Sequence, residues 1–110
     1  MPHYKFLVFS NPAAGREEEY NRWYTDIHLG EVVASPGFTG ARRFRLVPGD
    51  GPQPSHGYLA IYDLETDDVQ GTLGGMMDRA ANGQMQMSDA IDPEVILHIY
   101  EELPGGTTAN

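Results

Sequence analysis

Three short runs in this chain, KFLVF, YLAIY and VILHIY, are apolar on both phases of a two-residue repeat. A strand with one wet face alternates apolar with polar side chains, so these runs call for cover on both sides. Only two other segments read as helices, and two helices cover one face of a sheet. The second face would expose more apolar surface than a soluble monomer normally tolerates. The expectation is therefore a homodimer, a second copy packing sheet on sheet.

The remaining punctuation orders the elements. HYKFLVF (3–9) is the first strand, broken by Asn11-Pro12. Arg16 and three glutamates follow Gly15, and acidic side chains suit the positive end of a helix dipole. Tyr20, Trp23, Tyr24 and Ile27 then recur at three- and four-residue spacing, the stripe of a helix lying on a sheet, closed by Pro36-Gly37. FTGARRFRLV (38–47) predicts a strand with one wet face, PGDGPQPS (48–55) a hairpin loop, and HGYLAIYDL (56–64) the third strand. A second helix is expected over VQGTLGGMMDRAA (69–81), capped by Thr66 or Asp67, although Gly71, Gly74 and Gly75 each cost about 1 kcal/mol relative to alanine. Residues 82–93 read as loop or partly helical, VILHIYEEL (95–103) as the last strand, and PGGTTAN (104–110) as a frayed, disordered tail. The order βαββαβ is α+β and ferredoxin-like: a four-stranded antiparallel sheet with two helices on one face, in one domain spanning 1–103.

Composition removes whole classes of function. A chain of 110 residues has no room for separate catalytic and cofactor domains. With 16 acidic against 7 basic residues, the net charge of -9 repels a phosphate backbone, so no nucleic-acid partner is expected. The absence of cysteine excludes thiolate nucleophiles, disulfides and zinc–sulfur sites. FLVF is too short for a signal-peptide core or a membrane span, which implies no membrane partner and a cytoplasmic setting.

Chemistry concentrates in EEEYNRWYTDIHLGEVV (17–33). At about 100° per residue from Tyr20, Tyr24 falls near 40°, His28 near 80° and Glu31 near 20°. His28 thus lies at the edge of the buried stripe one turn beyond Tyr24, and Glu31 within i,i+3 reach of it. A buried carboxylate needs a hydrogen-bond donor and an imidazole is the nearest, so a general acid/base centre is suggested: His28 as acid/base, Glu31 orienting it, Tyr24 donating to a carbonyl. The plainer alternative leaves His28 at the sheet edge and Glu31 in solvent. Tyr20, Trp23 and Ile27 would line the same pocket, with Met76 and Met77 as a flexible apolar lining for a hydrophobic ligand. His3 and His56 stand at strand ends where a cavity mouth could lie. His98 is mid-strand, on the side of Ile96 and Tyr100. No third ligand stands at diagnostic spacing from His28 and Glu31, so no metal is expected, and GTLGG lacks the lysine of a phosphate loop. No cofactor is called for.

The segment YKFLVFSNPAAGREEEYNRWYTDIHLGEVVASPGFTGARRFRL resembles the dimeric α+β barrel superfamily and, within it, the EthD-like family. The likeness rests on a Trp-Tyr-x-x-x-His helix followed by a Pro-Gly-Phe turn into a strand, here Trp23, Tyr24, His28, Pro36, Gly37 and Phe38, then Arg43 and Phe44. It implies a homodimer of ferredoxin-like subunits, each with a cavity between sheet and helices. The superfamily includes cofactor-free monooxygenases, polyketide cyclases such as olivetolic acid cyclase, and haem-handling enzymes. The expectation is a cofactor-free enzyme of cyclase, dehydratase, isomerase or lyase type, acting through His28 on a hydrophobic aromatic or polyketide-like molecule. A cofactor-independent oxygenase of a phenol and a non-catalytic binding protein are the alternatives.

Overall fold

The computed structural model describes residues 1–109. In chain order it has β1 (His3–Ser10), α1 (Glu17–Trp23), a π-helical turn (Tyr24–His28), α2 (Leu29–Val33), β2 (Phe38–Arg45), β3 (Tyr58–Glu65), α3 (Val69–Ala81) and β4 (Ile96–Glu101). The four strands form one sheet in the order β2-β3-β1-β4, every neighbouring pair antiparallel. β1, the π turn and β3 are the elements that place the site.

The doubly apolar runs fall where that pattern requires. Phe6 and Val8 of β1 and Tyr58, Ala60, Tyr62 and Leu64 of β3 are buried in the core beneath the helices. Leu7, Phe9, Leu59 and Ile61 alternate with them on the opposite face and are only half-buried. Leu7 pairs with His98, which puts His98, with Ile96 and Tyr100, on that same uncovered face. Tyr100 is 52% exposed and Phe44 of β2 is 45% exposed.

Element ends differ from the sequence reading. β2 stops at Arg45 rather than Val47 and β3 begins at Tyr58, so His56 lies in the loop. β4 is trimmed to Ile96–Glu101. The cap of α3 is Asp68, not Thr66 or Asp67: its Oδ1 accepts from the Gly71 amide at 2.9 Å, while Thr66 Oγ1 accepts from the Asp68 amide at 3.0 Å and shapes the approach. Gly71 is tied to this cap, because a Cβ there would lie 2.3 Å from Asp68 Oδ2. Gly74 and Gly75 have no such neighbour within 4 Å, so close approach of α3 to the sheet is not their role. Residues 104–109 carry no helix or strand and are exposed, whereas Asn110, the last residue of the expected tail, lies outside the described residues. Among the described residues no helix is long and apolar enough to cross a membrane.

The turn from α2 into β2 depends on Gly37, at φ 90° with its would-be Cβ 2.7 Å from Thr72 Cγ2 of α3. Gly37→Ala should therefore lower stability by about 1–3 kcal/mol, read as a drop in melting temperature without change of fold.

Candidate active site

The helical stretch from Glu17 to Val33 is not one uniform α-helix. The Leu29 amide donates to the Tyr24 carbonyl five residues back, the bond of a π turn. Such a turn accommodates an extra residue, which rotates everything beyond it relative to the α-helical wheel, and π turns recur at functional sites. Tyr20, Tyr24, His28 and Val32, four apart, consequently share the sheet-facing side. Val32 is 3% exposed, although a uniform wheel puts it near 120°, well off the stripe. Glu31 is turned outward instead, and its Oε1 accepts from the Gln86 amide at 2.7 Å. It makes no hydrogen bond to His28. The orienting role read from i,i+3 spacing is corrected by the π turn.

Beneath the π turn lies a cavity of about 230 Å³. Phe6, Val8 and Tyr62 of the sheet form its floor, and Trp23, Tyr24, His28 and Val32 one wall. Met76 and Met77 of α3 form another, with Met85 and Met87 of the following strap. The His28 ring stacks on Trp23 with centroids 4.5 Å apart and meets Tyr24 edge-on at 5.0 Å. Its Nδ1 is the buried side-chain polar atom that finds no partner among the described residues. Burial pushes the imidazole below its ordinary value, opposed by the Glu31 charge. The ring is therefore neutral at pH 7.

Two phenols complete the polar part of the wall. Tyr62 Oη and Tyr24 Oη are 3.1 Å apart in a buried hydrogen bond. Burial pushes Tyr24 up to about 12, and burial together with the Tyr24 hydroxyl pushes Tyr62 up as well. Both are donors at neutral pH, not bases. Behind them the Arg43 guanidinium lies 4.6 Å from the Tyr24 ring centre, held by Asn21 Oδ1 and Thr25 Oγ1, each at 2.9 Å. It is thus fastened to the helix just where the π turn begins.

No protein-family model matches the chain, and no curated protein matches its sequence. Solved structures do. The haem degrader MhuD of Mycobacterium tuberculosis, with two haems in its active site, is 18% identical with a TM-score of 0.66, over 94% of this chain and 99% of that one. An EthD family protein of Bacillus halodurans is 14% identical with a TM-score of 0.60, over 94% and 100%. A DABB family protein of Mesorhizobium loti with a ferredoxin-like fold is 15% identical with a TM-score of 0.62, over 96% and 100%. The chain shares the ferredoxin-like fold of these structures. At these identities the likeness carries the fold alone.

Of the residues singled out in the sequence, Trp23, Tyr24, His28, Met76 and Met77 line the cavity. The others do not. Tyr20 is fully buried to one side, its hydroxyl 2.6 Å from Ser10 Oγ, and Ile27 is half-buried outside the wall. His3 pairs with Glu65 at 3.2 Å at the end of the β1–β3 pairing. His56 is bound at both nitrogens, by Ser55 Oγ at 2.7 Å and the Glu94 carbonyl at 2.9 Å, and so anchors a loop. His98 lies between Phe9 and Tyr100 on the uncovered face. Strand alternation puts these histidines at the rim or on the far face, away from a cavity beneath the helices. Tyr62 and Arg43 were not read as site residues. Their signal was phase: Tyr62 alternates with Tyr58, Ala60 and Leu64, and a tyrosine on a core phase needs a hydrogen-bond partner.

Two outcomes follow from this geometry. Below the ordinary imidazole value of 6.5 the unfolded chain protonates at His28 before the folded chain does, so this residue draws stability down as pH falls from 6.5 toward its lowered folded value. In a pH series of melting curves, wild type should lose stability faster than His28→Gln across that window. Glu31→Ala should cost about 1 kcal/mol and speed hydrogen exchange at the Gln86 amide, by loss of its charge-assisted bond.

Proposed function

We propose that this protein is an enzyme that binds a hydrophobic, aromatic small molecule in the cavity and moves a proton on it with His28, as a homodimer in the cytoplasm. The observation that carries this reading is the neutral imidazole on an apolar cavity wall, stacked on Trp23 and beside a tyrosine hydroxyl pair. A neutral imidazole can accept a proton, and a phenol of raised pKa can donate to the oxygen on which charge develops. Cyclisation, dehydration, isomerisation or cleavage beside a carbonyl all need that pair of roles. A haem fits these residues poorly. His28 is a nitrogen donor, but the ionisable side chain besides it and the two tyrosines in the wall is Asp92, which would face the haem carboxylates with like charge.

A plain binding role is favoured by one observation, that no carboxylate orients His28. The two readings separate on variants. With an aromatic ketone or polyketide-like substrate from a screen, His28→Ala should lose about 10²–10⁴ in kcat, and Tyr24→Phe a smaller factor, while both keep their melting temperature within a few degrees. Unchanged turnover in His28→Ala, or activity lost only together with the fold, would assign the histidine to packing.

The dimer reading rests on the uncovered face, where Leu7, Ile61, Phe44 and Tyr100 surround the Lys5–Asp63 ion pair. Light scattering should give twice the 12.1 kDa chain mass, little affected by salt because the contact is mainly apolar. Ile61→Asp should shift it to the monomer. A monomer in the wild type at micromolar concentration would sink this part of the proposal.

A further inference from the structure

We propose that two copies of this chain meet about a two-fold axis running along the strands, so that the Lys5–Asp63 pair of each lies against the same pair of the other, reversed, in a four-charge cluster. The arrangement rests on the chain being a homodimer through its uncovered sheet face. It adds which strands oppose which, and why the partner is a second copy. That face is divided along its strands. Toward one end the two central strands, β1 and β3, set Leu7 beside Ile61 and Phe9 beside Leu59. Toward the other they set Lys5 beside Asp63, joined by a hydrogen bond. In the same row as this pair stand Gly40 of β2 and Tyr100 of β4.

A two-fold contact brings one patch against its own copy, and its axis can run across the strands or along them. An axis across the strands keeps each strand over itself. If it passes through the charged row, Lys5 faces Lys5 and Asp63 faces Asp63. If it passes beside that row, the pair sheds water against Leu7 and Ile61 and gains no counter-charge. If it passes through the apolar rows, the charged row lies beyond the contact and Tyr100, 52% exposed in the lone chain, stays bare. An axis along the strands has none of these faults. Overlap is greatest with the axis midway in the order β2-β3-β1-β4, between β3 and β1. β1 then opposes the partner's β3, and β2 the partner's β4. Lys5 faces Asp63, Leu7 faces Ile61 and Phe9 faces Leu59, in both directions. At the edges Tyr100 faces Gly40, where a Cβ would point to this same face, 3.6 Å from Asp63 Oδ2. Sheets aligned within about 30° and about 10 Å apart keep these side chains within reach. Lys5 and Asp63 are half-exposed in the lone chain, and the reversed pair opposite gives each a second counter-charge as that water is lost.

The test mixes isotope-labelled wild type with an unlabelled Lys5→Asp/Asp63→Lys double variant of the full chain and counts dimers by native mass spectrometry. The double variant keeps its ion pair within the chain and its complementarity to itself. A mixed dimer sets like charges against each other at both contacts. Each chain should dimerise alone, with mixed dimers below about a tenth of the total, whereas labelled and unlabelled wild type exchange until half the dimers are mixed. In a second arm, the single variants Lys5→Asp and Asp63→Lys should each dimerise about a hundredfold more weakly than wild type, and pair with each other when combined. A pair acting only within its own chain would give free mixing in the first arm and no gain in the second. Mixed dimers at one half therefore overturn the cluster and leave the homodimer standing. A wild type that is monomeric at micromolar concentration overturns both. Should the double variant not fold, the single variants decide: no dimer on combining them overturns the cluster.

Discussion

The π turn at Tyr24–His28 is the constraint on which the site depends. Four aromatic or branched side chains at intervals of four, Tyr20, Tyr24, His28 and Val32, cannot all face one surface on a straight α-helix, because four residues overshoot a turn by about 40°. The wider turn absorbs that drift. It brings His28 and Val32 onto the sheet, turns Glu31 away, and puts an imidazole flat against Trp23. Arg43 then braces the beginning of the turn from β2 through Asn21 and Thr25. Helix geometry, core packing and the chemistry of the cavity are therefore one problem with one solution.

The rotation has a second consequence. Freed from His28, Glu31 takes the amide of Gln86, and Trp23 Nε1 donates to the carbonyl of the same residue at 2.8 Å. Farther along, the Ala13 amide donates to the Ala90 carbonyl and the Asp92 amide to the Asn11 carbonyl. Arg16 binds Asp89. These bonds fasten the irregular segment after α3 across the cavity, with Met85 and Met87 directed into it. Backbone bonds thus position a segment whose Met85 and Ala90 are themselves buried in the core, while the unbranched methionines fit whatever shape the cavity contents present.

Much of the fold is legible in the sequence. The doubly apolar strands, the acidic start of the first helix and the turn residues at 48–55 fix element order and sheet type, because the two-residue and 3.6-residue periods are properties of the backbone. The cavity was legible only in part. Trp23, Tyr24 and His28 came from helix periodicity, Met76 and Met77 from their flexible apolar character, and all five are in its wall. Glu31, Tyr20 and Ile27 came from the same wheel, yet they lie outside it. A wheel assumes a constant angle per residue, which the π turn breaks, and it cannot tell the core side of a helix from the cavity side.

What the sequence by itself determined is therefore the set of local periods: which segments are strands, which are helices, and which strands are apolar on both phases. Only the tertiary structure decided how those segments meet. The Tyr24–Tyr62 bond joins residues 38 apart in the chain, and the hold of Gln86 on Glu31 joins residues 55 apart. No local propensity encodes such contacts. They follow from strand order β2-β3-β1-β4, which brings Tyr62 of β3 beneath the helix, and from a single extra residue in one turn, whose cost is met by burying Tyr24 and Val32. Periodicity specifies which side chains a helix can turn inward, and packing against the sheet selects among them.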